Sequence, residues 1–423
     1  MALLAVALAL SAVELDKAFA EGWLQGLGWI YSGGAEGASL LLGTVAGSMI
    51  AIAGTVFSMT LVALSLASSQ LGPRLLRNFM RDTANQVVLG TFVATFMYCL
   101  LVLRTIRRDD QGDFVPHLSV SIGMLLAIAS IGVLIYFIHH VSVSIQADQV
   151  VARVGKELEE GIDRLFPGHL GKPGSAVAKA PSEADLPVAF AREARPVGAF
   201  EDGYLQLIDA DALMSLANEA DLVLRLERRP GHYLVKGRPM VMVWPGDRVT
   251  ETLVEKMNEA FVLGNQRTAA QDVEFSFHQL VEIAVRALSP GINDPFTAIA
   301  CVDRLGSGLC RLARRDMPSA QRFDPEGRLR LVAPGSSFAG IADTAFNQIR
   351  QSARSNPAVA IRMLDAIAQI AGHVQHAPDA ACLQRHAGMI IRGAREAVAE
   401  PDDLLDVEAA FTAATQALCG LQI

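Results

Sequence analysis

Residues 38–71 read ASLLLGTVAGSMIAIAGTVFSMTLVALSLASSQL. None of them carries a charge, and the uncharged run already begins at Gly37. A hydrocarbon core about 30 Å thick takes roughly 20 apolar helical residues to cross. This stretch is therefore a membrane-spanning helix with length to spare. It stops at Gly72 and Pro73, which break helices.

Within the span, Thr44, Ser48, Ala51, Thr55, Ser58, Val62, Ser65 and Ser69 recur at alternating spacings of four and three. That is the 3.5-residue seam of a left-handed helical bundle. A coiled coil would fill such a seam with Leu; here it is small and hydroxylated. Gly43 and Gly47 add a GxxxG pair, which lets helices approach closely in lipid. Two readings follow. The stripe can glue the helix to its neighbours, each hydroxyl bonded to a backbone carbonyl. Alternatively, the same stripe from several subunits can line a polar path, with Arg74 and Arg77 at its mouth.

Working outward, residues 87–103 and 118–138 are two further apolar segments, and 115–146 contains no charge. Residues 1–13 are apolar but too short to cross unless the chain starts upstream. A signal peptide is the alternative, although no Lys or Arg precedes the apolar run. Arg74, Arg77 and Arg81 follow the second span, and Arg153, Lys156 and Arg164 follow the fourth. Basic loops mark the cytoplasmic side, so the long tail is expected inside. Arg104, Arg107 and Arg108 disagree, although Asp109, Asp110 and Asp113 offset them. No span carries a charge near its centre, which speaks against an ion-coupled carrier. His117, His139 and His140 fall at the ends of the fourth span, at the interface.

Composition agrees. Of 423 residues 51% are hydrophobic, and the mean hydropathy of +0.32 is high for a soluble chain. A net charge of −8 speaks against nucleic acid as a partner. The five cysteines form no CxxC pair and suit a reducing compartment.

Behind the membrane region, residues 150–166 read as a helix and 167–187 as a Pro/Gly/Ala-rich linker. Strand-like runs at 203–208, 222–228, 233–235 and 240–244 surround a short helix after Asp209. The turn from Arg229 to Met240 resembles that of lipoyl and biotinyl carrier domains. The carrier lysine's hairpin has no match, so only the shape is implied. From Asp247 onward the chain reads as helices at 250–263, 272–288, 295–315, 338–354, 358–374, 380–398 and 402–418, with a hairpin near 328–332.

Two places invite chemistry. Glu274, His278 and Glu282 fall four apart on one helix face, a spacing that could hold a metal; a solvated face of alternating charge has the same pattern. Ser289, Gly291, Asn293 and Asp294 form a tight turn into a helix whose N-terminus could bind an anion; a well-capped connection looks the same. There is no Walker A loop, Rossmann glycine motif, nucleophile elbow or HExxH zinc motif. No catalytic residue and no cofactor is expected.

The stretch from Ser65 to Arg74, the run Leu89-Gly90-Thr91-Phe92, the run Gly203-Tyr204-Leu205-Gln206 and the turn from Leu288 to Phe296 resemble a family of predicted bacterial inner-membrane proteins classed as a domain of unknown function. The resemblance implies an inner-membrane location and spans followed by a soluble tail, but no activity. The short first segment departs from the longer span usual in that family.

The expected architecture is a helical membrane domain of about four spans over 1–146 and a helix and linker over 147–186. A small lipoyl-like β-sandwich unit over 187–246 and a mainly helical domain over 247–423 then form a cytoplasmic α+β region. The expected function is an oligomeric channel passing ions or small solutes, with membrane lipid and its own copies as partners. A membrane-anchored sensor or enzyme using the Glu274–Thr297 region is the alternative, and a docking scaffold a third.

Overall fold

The computed structural model describes residues 1–18, 30–71, 83–107, 114–144, 146–166 and 186–420. The chain divides into two compact units, Met1–Gln149 and Val150–Ile423.

The first unit is a helical bundle of α1 (Ala2–Ala18), α2 (Ala35–Leu71), α3 (Thr83–Leu103) and α4 (His117–Ser144). Three stretches, 35–66, 83–103 and 117–143, are long and apolar enough to cross a membrane. These three are the spans found among the described residues, where four were expected. The helix expected as the first span, α1, has 17 residues and joins the bundle through small residues. Ala5, Ala9 and Val13 pack with Ala38, Leu42 and Ala46 of α2, and with Tyr98, Cys99 and Val102 of α3. A second cluster of Met49, Ala53, Val56, Val88, Phe92 and Phe137 continues this core along α2, α3 and α4.

Several polar groups inside this bundle are paired, whereas buried Asn85 Oδ1 of α3 has no hydrogen-bond partner among the described residues. The Asp16 carboxylate of α1 accepts hydrogen bonds from the backbone N–H of Leu118 (2.9 Å) and Ser119 (2.8 Å) and from the Ser119 hydroxyl (2.6 Å). It thereby caps the N-terminus of α4, where the helix leaves its first N–H groups without partners. The Tyr98 hydroxyl donates to the Ser119 carbonyl at 2.9 Å, and Thr95 and Ser130 share a buried hydrogen bond at 3.1 Å. His117 Nδ1 lies 2.7 Å from the Tyr31 carbonyl oxygen.

The second unit takes in all but the first three residues of α5 (Ala147–Leu165), an amphipathic helix that buries Val151, Val154, Leu158 and Ile162. Of the linker expected at 167–187, residues 167–185 lie outside the described residues. Eight strands follow in two sheets. β1 (Arg195–Gly198), β5 (Pro239–Trp244), β3 (Val223–Leu226), β8 (Leu329–Val332) and β7 (Gln321–Phe323) make a five-stranded sheet in that order. β4 (Tyr233–Leu234), β2 (Gly203–Ile208) and β6 (Phe261–Gly264) make a three-stranded one. Helices α6 (Ala210–Glu219) and α7 (Glu251–Glu259) share the core through Leu213, Ala217, Leu253 and Met257.

This arrangement corrects the lipoyl-like sandwich. Val223 and Leu224 on adjacent positions of β3 are both buried, so both faces of that strand are covered. Its free edge needs a neighbour, and β8 supplies it in parallel, Leu224 opposite Leu331. The sheets thus draw in strands far beyond residue 246. The helix expected at 250–263 ends at Glu259, because Phe261 to Gly264 pair with Ile208 to Tyr204 of β2.

The remaining helices are α8 (Val273–Ala287), α9 (Pro295–Ala313), α10 (Phe338–Ser352), α11 (Pro357–Ala371), α12 (Ala377–Ala397) and α13 (Pro401–Cys419). Their starts follow local chemistry: Asp294, Ser337 and Asn356 each accept an N–H of the first turn, and Pro295 and Pro357 open their helices. Gly308 of α9 lets α5 approach closely; a Cβ there would meet Leu158 Cδ2 at 2.8 Å and Phe277 Cζ at 3.4 Å.

Candidate functional site

The two faces of α2 differ in kind. Leu42, Ala46, Ala53, Val56 and Ala63 are buried against the bundle. Each is followed two residues later by a member of the small, hydroxylated seam: Thr44, Ser48, Thr55, Ser58 and Ser65. Two residues are about 200° of helical rotation, so the seam lies opposite the packed face. All of these, with Val62 and Ser69, are exposed. A Cβ built on Gly43, Gly47 or Gly54 meets nothing within 4 Å. Among the described residues, the GxxxG pair is therefore not used to pack α2.

The seam's hydroxyls are partly satisfied locally. Thr44 donates to the Leu40 carbonyl (2.7 Å), Thr55 to that of Ala51 (3.1 Å) and Ser69 to that of Leu66 (2.9 Å). Such back-bonding uses the proton and leaves an oxygen lone pair facing outward. Leu40, Ile50, Phe57, Leu61 and Leu66 flank the seam and are exposed as well. The side chains of Arg74 and Arg77, expected at the mouth, lie outside the described residues.

The helix column on α8 is not a solvated face. Glu274 is buried, and the Arg229 guanidinium grips it with two bonds of 2.6 and 3.1 Å. Arg229 also donates to Ser336. The carboxylate thus has a fixed partner where a metal would compete, and His278 and Glu282 are half-buried beside it. In the turn, Asn293 takes a left-handed conformation (φ 50°), and the N–H groups of Ile292, Asn293 and Asp294 bond to the carbonyls of Ser289 and Ala287. Ser289 donates to the Arg286 carbonyl at 2.6 Å, and Gly291 has open space around it. The Asp294 carboxylate caps α9 through Thr297 N and Oγ1. It stands where an anion would bind.

Three polar clusters escape a reading along the chain. Arg330, 3% exposed, bridges Asp324 and Asp221 with bonds of 2.9 and 2.8 Å. Arg267 holds buried Asp272 at 2.7 and 2.9 Å. Asp343, Cys382 and His386 meet between α10 and α12. Only the last left a trace in sequence, the four-residue step from Cys382 to His386.

A family described as predicted membrane proteins (DUF2254) matches residues 1–369. The chain belongs to that family. Relatives agree: uncharacterized proteins of Mycobacterium bovis and Mycobacterium tuberculosis are 33% identical over 381 residues, covering 88% of this chain and 71% of each relative. No solved structure matches. Family membership and the three apolar helices together identify a membrane protein, and the family match takes in the whole of α2 and both sheets.

Proposed function

We propose that this protein forms an oligomeric channel in the bacterial inner membrane, with α2 helices from several copies lining a path for ions or small solutes. The supporting observation is the open hydroxylated face of α2. Small and hydroxyl groups buried within one chain would be packing glue; here they are exposed among the described residues of their own chain. A ring of such faces around a shared axis gives a polar lining without fixed charge, a feature of passive conduction. Arg74 and Arg77 would stand at the cytoplasmic mouth and favour anions. Residues 150–423 would lie in the cytoplasm and serve assembly and gating. A sensor or enzyme built on the Glu274–Thr297 region has less support, because Glu274 is bridged by Arg229 and Asp294 is a helix cap.

The test is ion flux through the purified protein in a planar bilayer. Ser65→Cys is made in a Cys419→Ser background, since Cys419 is exposed. A water-soluble charged thiol reagent should change the current of the Ser65→Cys protein and leave the background protein unaffected. A folded protein that conducts but ignores the reagent would remove α2 from the path. A folded oligomer with no current under any voltage or salt condition would remove the channel.

A further inference from the structure

Cys382 and His386 lie one turn apart on α12, and Asp343 faces them from α10. A sulfur, an imidazole nitrogen and a carboxylate oxygen from the three lie within 4.8 Å of one another. His386 is fully buried, with its Nε2 2.9 Å from Asp343 Oδ1 and its ring 5.4 Å from that of Phe346. Its Nδ1 is buried with no hydrogen-bond partner among the described residues, and Nε2 is the nitrogen that faces the cluster. Cys382 is 6% exposed, whereas the Asp343 side chain is 41% exposed and opens the cluster to solvent.

We propose that Asp343, Cys382 and His386 form a binding site for a divalent transition metal of zinc-like chemistry. The donor set selects the ion. Calcium and magnesium take oxygen ligands, whereas zinc accepts thiolate, imidazole and carboxylate together. Tetrahedral bonds of about 2.0–2.3 Å place ligand atoms roughly 3.3–3.6 Å apart, so closing this cluster on an ion takes small side-chain movements. The fourth position opens on the Asp343 side and takes water.

Arg385 supplies the present positive charge. Its Nη2 donates to Asp343 at 2.5 Å and to Cys382 Sγ at 3.4 Å. A guanidinium there holds the place of a cation, and at 47% exposure it can swing into water as the ion enters. Binding converts the Cys382 thiol to a thiolate and releases its proton to solvent. Cys382 and His386 lie beyond the residues the family description matches, so the site belongs to the C-terminal helices of this chain.

The test uses the full-length, tag-free protein in detergent, stripped with a chelator and titrated with cobalt(II) as the spectroscopic stand-in. One cobalt per chain should give the visible bands of a tetrahedral ion and a near-ultraviolet thiolate charge-transfer band, both removed by one equivalent of zinc. Cys382→Ser should abolish the charge-transfer band, and Asp343→Asn should weaken binding by roughly tenfold or more. Arg385→Ala, at an exposed position, should bind cobalt several-fold more tightly because a competing cation is gone. A purely structural Asp–His–Arg network predicts no cobalt bands and only lost stability in Arg385→Ala. Absence of bands in the folded wild type, bands that survive Cys382→Ser, or weaker binding in Arg385→Ala would each overturn the proposal.

Discussion

Single residues decide several junctions that no periodic pattern marks. Asp16 is one. It sits on a short helix, yet it satisfies the opening N–H groups of α4 a hundred residues away. Asp16→Ala removes three hydrogen bonds to a charged acceptor and leaves two N–H groups open. The expected cost is about 2 kcal/mol or more, read as a lower thermal midpoint in detergent, while Asp16→Asn should recover part of it. Asp324 is another. Burial raises its carboxyl, but the Arg328 backbone N–H and the guanidiniums of Arg330 and Arg328 outweigh that and hold it at about 2. A depressed carboxylate contributes stability above its unfolded value and loses it as pH falls toward the folded one. The unfolding midpoint of the second unit should therefore fall between about pH 4 and pH 2, and Asp324→Asn should flatten that window in a pH series of denaturant melts.

At the scale of elements, α2 separates two kinds of glycine. Gly47 faces open space, whereas a Cβ at Gly123 of α4 would meet Leu42 Cδ2 at 3.0 Å and Tyr98 Cε1 at 3.7 Å. Gly123→Leu should overpack the bundle and lower its thermal midpoint by an amount equivalent to roughly 1–3 kcal/mol. Gly47→Leu should leave the midpoint of a single chain nearly unchanged and shift the oligomer distribution seen by native mass spectrometry. Equal behaviour of the two variants would dissolve the distinction between the faces. This seam was legible because its period is local: hydroxyls two residues after apolar positions can be read from one helix. The helix start at Asp294 and Pro295 was legible for the same reason. The end of α7 was not. Phe261 and Val262 suit a helix or a strand equally, and only pairing with β2 decides. Likewise β3 and β8 belong together through burial on both faces of β3, which no local pattern states. The Asp343 cluster needs α10 and α12 to meet, so the sequence reading singled out none of its three residues.

At the scale of the molecule, the two units divide the chain's chemistry. Uncharged runs concentrate before residue 147, and buried ion pairs such as Arg229–Glu274 and Arg330–Asp324 concentrate after it. Among the described residues, 150–420 hold a core of two sheets and the helices α5 through α13. Expressed alone, this part should be soluble without detergent and show one cooperative unfolding transition by circular dichroism. A fragment that precipitates from an otherwise competent expression would mean that it needs the membrane unit to fold.

The parallel pairing of β3 with β8 also sets a schedule for biosynthesis. Leu224 waits for Leu331, about a hundred residues later on the ribosome. At roughly 5–20 residues per second, that edge stays open for on the order of 5–20 s. During that interval the nascent chain already carries its spans and a leucine-rich strand with no partner on one side. Nascent chains stalled just before Leu329 should hold chaperones longer than chains stalled in α13, because the earlier ones display an edge that the later ones have closed.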